Sequence, residues 1–579
     1  MYHFVFETPN PPTAESSEDR RRAELQDSEA RSHAAKIAYL KKIARKHISQ
    51  PTSSLDQRTP SATKQDESEG EVVEPRFIDR RQSVKSDKPL PGAKQPPKSQ
   101  SASRKSHPTP KGNRIYSRAK FKWEPNSLLA QTTKDPFDSF PERRLPENVE
   151  KVVQYAFDRI WPEMLCAVRG ETLALAKSEW KGHGLQDELL FHVQVALACG
   201  LNLALQNIPK ISEALALARL SHYSRAIRLL KQRIENLDGP ASEDLMMSML
   251  ILGVNADVEE AMPEAHPQSP LATSQYMHLY GRLTLMPSYA TALHQLVEDR
   301  GGIFKLKHLA LADWLLLADL HHASRTGDRL RYPPLRAYHS IIATGKHIQD
   351  AKAKLLSSKL GSGFSDLGES LLNTEMRAAI AQAVEATVAL DHYDRYENEP
   401  PRLVDVMLAA NEAQRSFLEI DSKTGIELGD FVHESCRLTA LIFSDMVLFP
   451  MPSCTRIKPR LAGELRRVLA AFEERKEIMA EAHRSTSISD MLIWVLVLGG
   501  IAASFTEDRL WFETQLRMRL READKSGPQS ERKLWADLKS RLARFLWWDP
   551  VMDSPALDLW QAAIDPSKEV SDKKNVQGT

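Results

Sequence analysis

Two side chains in the segment FVHESCRLT have the types and spacing of a nucleophile and its base, because His433 precedes Cys436 by three positions and a helix would place both on one face. No third group stands ready to orient the imidazole, and Cys436 sits in an apolar run. A buried, unreactive thiol is therefore expected. His321 and His322 are adjacent, so on a helix they point to different faces and do not form a ligand pair; a place along a helix surface is expected for them. Asp313 and Asp319 are six positions apart, whereas a magnesium-binding carboxylate motif of the helical isoprenoid enzymes needs carboxylates at i, i+1 and i+4. GSGFSDLG, beginning at Gly361, has the wrong glycine spacing for a phosphate cradle and no strand before it. His294, on the face leading to Leu296 and Val297, is expected to be a hydrogen-bonded core histidine near a helix end. These positions supply no catalytic constellation, no cofactor-binding set and no metal site, so the chain is expected not to be an enzyme.

The elements that would carry these residues are helical. From about residue 135 to Ala563 the apolar residues recur with a 3.6-residue period, and strand signals almost vanish. Segments such as ELLFHVQVALACGLNLAL, ISEALALARLSHYSRAIRLLKQRIENL, SQYMHLYGRLTLM, HLALADWLLLADLHHA and SDMLIWVLVLGGIAASF each fit a helix. The fold class expected is all-α: a large helical domain over residues 135–565, of roughly a dozen helices. Ser242 before Glu243 and Asp244 opens one helix, Ser489 with Asp490 opens another, and Gly301-Gly302 closes a third. Helices at 187–205 and 490–505 are apolar nearly all round and should be central. Met491 to Ser504 is the longest apolar run, yet at ~1.5 Å per residue it is too short for a bilayer core of ~30 Å. It reads as a buried helix, and no membrane partner is expected. ALARLSHYSRAIRLLKQRI has the cadence of one tetratricopeptide-like pair, without the repetition of a solenoid.

Charge divides the chain. Lys and Arg number 78 against 77 Asp and Glu, a formal net charge of +1. Residues 1–134 hold 26 basic and 16 acidic side chains, so the arm carries +10 and the remainder −9. Residues 1–49 read as a short opening peptide and a basic amphipathic helix containing Lys41, Lys42, Arg45 and Lys46, a candidate nuclear-import or phosphate-contacting cluster. Residues 50–134 are rich in Pro, Ser and Lys and poor in large apolar side chains, the composition of a disordered linker. Near its end Arg104, Lys105, Arg114, Arg118, Lys120 and Lys122 alternate with Tyr116, Phe121 and Trp123, a candidate strip for phosphate and base contact. Residues 566–579 read as a disordered tail. The N-terminus has no apolar stretch of signal-peptide length, and the four cysteines, Cys166, Cys199, Cys436 and Cys454, include no Cys-x-x-Cys pair. An intracellular, reducing setting is the expectation.

The order of several blocks resembles the fungal-specific transcription factor family, in the version that lacks a zinc cluster. FVFETPNPP followed by EARSHAAKIAYLKKIARK, then DPFDSFP, HQLVEDRGGI with Asp319 beyond it, ESCRLTALIFSDMVLFP, LIWVLVLGGIAASFTEDRLWF and FLWWD carry the likeness across nearly the whole chain. Relatives with zinc clusters have six cysteines in a basic N-terminal module, and here no cysteine precedes Cys166. The resemblance implies an all-α regulatory domain, a nuclear role in transcription, control of metabolic or biosynthetic genes, and partners in the transcription machinery, with homodimerisation open. It implies no zinc-directed DNA contact; the basic arm would add only non-specific, salt-sensitive binding. Among the matched residues, His294, Arg300, Gly301, Gly302, Asp319, Arg437, Trp494, Gly499 and Gly500 read first as fold requirements. Gly301-Gly302 suit a positive-φ helix stop, Arg300 the negative end of that helix, and Gly499-Gly500 the close approach of another helix, with Trp494 and Trp511 as large buried surfaces. A second class of function is also open: a cytosolic helical scaffold without DNA binding.

Overall fold

The 3.6-residue period is realised as helix over most of the described residues. A computed structural model describes residues 145–161, 171–205, 209–254, 262, 264, 266–308, 310–368, 371–425, 427–475, 485–523 and 531–564, all within the unit Pro125–Thr579. The expected arm, linker and tail, with every basic residue proposed in them, lie outside the described residues. Within those residues the architecture is all-α, without a strand.

The first helices are α1 (Glu147–Tyr155), continued by a π-turn at Ala156–Ile160, α2 (Glu171–Gln186), α3 (Glu188–Leu205), α4 (Pro209–Glu235) and α5 (Glu243–Val254). As its all-round apolar sequence requires, α3 is the shared neighbour of α1, α2, α4 and α5. Ser242 Oγ accepts from the Leu245 amide and starts α5, as its sequence predicted. Next come α6 (Pro287–Asp299) and α7 (Leu311–Thr326). Because α7 packs on both α5 and a later helix, α10, it joins the two halves of the body.

The remaining helices are α8 (Ala351–Lys359), α9 (Thr374–Arg395), α10 (Leu403–Glu419), α11 (Leu428–Val447), α12 (Ile457–Glu473), α13 (Thr486–Ala502), α14 (Asp508–Ala523), α15 (Glu531–Leu542) and α16 (Asp549–Ile564). Consecutive pairs, α9 with α10, α11 with α12 and α13 with α14, pack side by side. The central element is α13, which meets α11, α12, α14, α15 and α16. Its Trp494 is fully buried and donates from Nε1 to the Leu546 carbonyl at 2.9 Å, so its one polar atom is satisfied. Gly499 and Gly500 give the close approach that their sequence suggested. A Cβ on Gly500 would lie 2.6 Å from Leu559 Cδ2 on α16, and one on Gly499 would overlap the Phe512 ring on α14.

The structure corrects several expectations. SQYMHLYGRLTLM is not one helix: a 3-10 turn at Pro270–Tyr276 kinks where Gln275 and Tyr276 adopt φ of 51° and 54°, and a single turn, Met277–Tyr280, follows. Its apolar residues bury without a continuous helix, which is why the periodicity misled. The tetratricopeptide-like cadence falls inside one unbroken helix, α4, so it is no helix pair. Helix α13 begins a turn before Ser489, with Ser485 accepting from the Ile488 amide. Trp511 is half-buried, under the Arg466 guanidinium at 5.9 Å from its ring centre.

Candidate functional site

Two places gather the singled-out residues. The first is a hub under α6 and α7. Asp319, 2% exposed, accepts at Oδ2 from the Arg331 amide at 2.7 Å and the Tyr332 amide at 3.3 Å, and pairs with the Arg331 guanidinium at 3.4 Å. Burial pushes its carboxyl above the usual carboxylate range, against the opposing pull of those two amides and of Arg331. Tyr332 is the keystone that the sequence did not mark. His294 meets its ring edge-on at 5.5 Å, and Arg415 Nη1 donates to its carbonyl at 3.0 Å. His294 and Asp319 thus meet through a third residue. His294 is half-buried and its Nδ1 has no hydrogen-bond partner, which corrects the expectation of a hydrogen-bonded core histidine.

Arg300 also acts differently from its expected role at the end of its own helix. It reaches back to α5, where Nη1 donates to the Ala241 carbonyl at 2.7 Å and Nη2 pairs with Glu243 at 3.2 Å. Glu243 then accepts from the Lys307 and His308 amides, so one carboxylate fastens the chain after the glycines to the start of α5. Gly301 and Gly302 make this reversal possible with φ of 91° and 92°.

The second place is a cleft of about 880 Å³ bounded by the end of α7, residues 420–425, α11 and α12. Phe431 of α11 and Phe472 of α12 stack 3.5 Å apart at an interplanar angle of 5° and form part of its apolar wall. Arg437 lies in the same wall, 14% exposed, with Nε and Nη2 donating to the two oxygens of Glu434 at 2.9 and 2.6 Å. Glu434 also accepts from the Lys423 amide at 3.0 Å, which ties the 420–425 segment to α11. Asp445, at the base, pairs with Lys458 at 3.0 Å, and burial pushes its carboxyl upward. Among the sequence candidates that fall on described residues, Arg437 alone reaches this cleft. Phe472, Arg460 and Arg467 were missed, although their spacing along one face of α12 was a readable signal.

The other candidates stay apart. Cys436 is fully buried and burial raises its thiol far above the ordinary range, as the sequence expectation held. Both ring nitrogens of His433 are buried without a hydrogen bond, so none joins it to the thiol. His321 and His322 are buried, against the expectation of a helix surface, because α7 is covered on both sides: His321 meets the Phe449 ring, and His322 faces Asp328 at 3.4 Å. Burial lowers His321 to about 4. Asp313 lies near Arg336, away from the Asp319 hub. Among the described residues no group of three or more His, Cys, Asp or Glu side chains converges as a metal site, and no helix is long and apolar enough to cross a membrane. Comparison with family models, curated proteins and solved structures finds no match to this chain.

Proposed function

We propose that this chain is a non-enzymatic regulator of transcription of the kind represented by the fungal-specific transcription factor family: an all-α regulatory body behind a basic arm, acting from the nucleus through proteins of the transcription machinery. The observation that carries the reading is the hub. Residues chosen for their likeness to one family block fall into two fastenings that share α6: His294 and Asp319 on Tyr332, and Arg300 on Glu243 of α5, with Gly301 and Gly302 turning the chain after α6. The basic arm supplies the import signal and a non-specific attraction to DNA.

Genome-wide chromatin mapping of the tagged full-length protein tests this. Enrichment at discrete promoters, together with nuclear fluorescence of a tagged fusion, is the expected outcome. Uniform background and cytosolic fluorescence would overturn it and leave the helical-scaffold reading.

A further inference from the structure

The cleft between α11 and α12 has the makings of a ligand site, and its chemistry narrows the ligand. At about 880 Å³ it lies within the ~300–1,000 Å³ range of small-molecule sites. One part of its wall is apolar: the stacked Phe431 and Phe472 with Leu438, Leu441 and Val468. That surface calls for an apolar body.

The polar part has an excess of cation. Each carboxylate in the wall already has its own partner: Glu434 holds Arg437, Glu464 holds Arg460 at 2.8 Å, Asp421 holds Arg329, and Asp445 holds Lys458. Arg467, exposed and seven residues after Arg460 on the same face of α12, has no hydrogen bond or ion pair among the described residues. Two further polar atoms in the wall are unspent. Arg460 Nε is a buried donor without an acceptor, and Gln414 Oε1 is a buried acceptor without a donor on a side chain 3% exposed, its Nε2 given to Ser324 Oγ at 2.9 Å. Buried polar atoms left unpaired are costly, so a ligand that supplied their partners would gain by binding.

We propose that this cleft binds an amphipathic organic anion, with an aromatic or aliphatic body on the Phe431–Phe472 surface and an acidic group at Arg467 and Arg460. An inorganic anion would leave the apolar wall wet. A neutral apolar molecule would strip water from guanidinium groups and give nothing in return. The inference stands on the cleft alone, so its failure and that of the transcriptional reading are separate results.

The test titrates the full-length protein with 8-anilino-1-naphthalenesulfonate and, in parallel, with N-phenyl-1-naphthylamine, which has the same rings without the sulfonate. The sulfonate should bind saturably, one per chain, at least tenfold more tightly than the neutral amine. Dodecanoate should displace it, and dodecanol should not. Arg467→Glu should weaken the sulfonate at least tenfold and leave the amine and the melting temperature unchanged. Arg467→Gln should fall between. Equal affinity for the two dyes, or Arg467→Glu without effect on the sulfonate, would overturn the proposal. Phosphatidylserine vesicles form the last arm. Absence of co-sedimentation is expected for a site that takes free amphiphiles, and co-sedimentation abolished by Arg467→Glu would replace the soluble ligand with a lipid surface.

Discussion

His347 Nε2 and His392 Nδ1 lie 3.1 Å apart inside the body, and His392 Nε2 donates to the Glu397 carbonyl at 2.7 Å. While His392 is neutral, its donation from Nε2 leaves Nδ1 as an acceptor, and His347 then donates to it from Nε2. Both rings are essentially unexposed. Around them stand Asp350, 3.7 Å from His392, with Glu385, Asp391 and Arg395.

Acid should therefore loosen the packing of the 340–350 segment on α9. Burial first, and the His392 charge second, lower His347 to about 4 from its ordinary 6.5. A lowered histidine contributes stability that is complete above pH 6.5 and lost as the pH falls towards 4. The ceiling for one such proton is on the order of 3 kcal/mol. His347→Gln keeps a donor to His392 and removes the titration. Its denaturation midpoint should fall less than that of wild type between pH 7.5 and 5, and parallel slopes would exclude His347 as a source.

At the hub, the acceptor oxygen matters more than the charge. Burial disfavours the Asp319 carboxylate more than Arg331 and the two amides favour it, so a neutral acceptor of the same shape should serve nearly as well. Asp319→Asn is expected to cost about 1 kcal/mol or less in chemical denaturation. Asp319→Ala, which leaves the Arg331 and Tyr332 amides without their acceptor, is expected to cost about 3 kcal/mol. Equal losses in the two variants would show that the ion pair carries the hub.

The helices were legible because their apolar faces bury in one direction. Helices α3 and α4 repeat their sequence patterns nearly residue for residue. The glycine pairs were legible too, since only a positive φ or an absent Cβ explains two glycines at such places. The partners were not legible. Arg300 finds Glu243 57 residues back, and Phe431 finds Phe472 across the α11–α12 turn. Nothing local distinguishes such pairs from solvent-facing or core residues. The cleft belongs largely to this class: the α12 face with Arg460, Arg467 and Phe472 was readable, but the rest of its wall comes from α7, α10, α11 and residues 420–425.

Gly500 separates helix propensity from packing. In a free helix Gly→Ala stabilises by about 1 kcal/mol. Here the new Cβ would sit 2.6 Å from Leu559, itself fully buried, and overpacking of that kind costs about 1–3 kcal/mol. Packing should win, with a net loss of about 1 kcal/mol or more. In the Leu559→Ala background, where space opens, Gly500→Ala should instead be neutral or stabilising. A loss of the same size in both backgrounds would mean that α16 does not set the limit.

Residues 1–134 carry +10 and the rest of the chain −9, so any attraction of the full-length protein to duplex DNA should come from the arm and fall steeply with salt. Each phosphate neutralised steepens the slope of log affinity against log salt by about 0.9. Changing Arg114, Arg118, Lys120 and Lys122 to alanine should therefore weaken binding to all sequences alike and flatten that slope, by up to about 3–4 if every side chain meets a phosphate. Lys41, Lys42, Arg45 and Lys46 should affect nuclear import more than affinity, and their alanine variant should leave the thermal midpoint unchanged. Sequence-selective binding that survives both sets of changes would place the DNA contact in the helical body and reverse the division of labour proposed for the two charge halves.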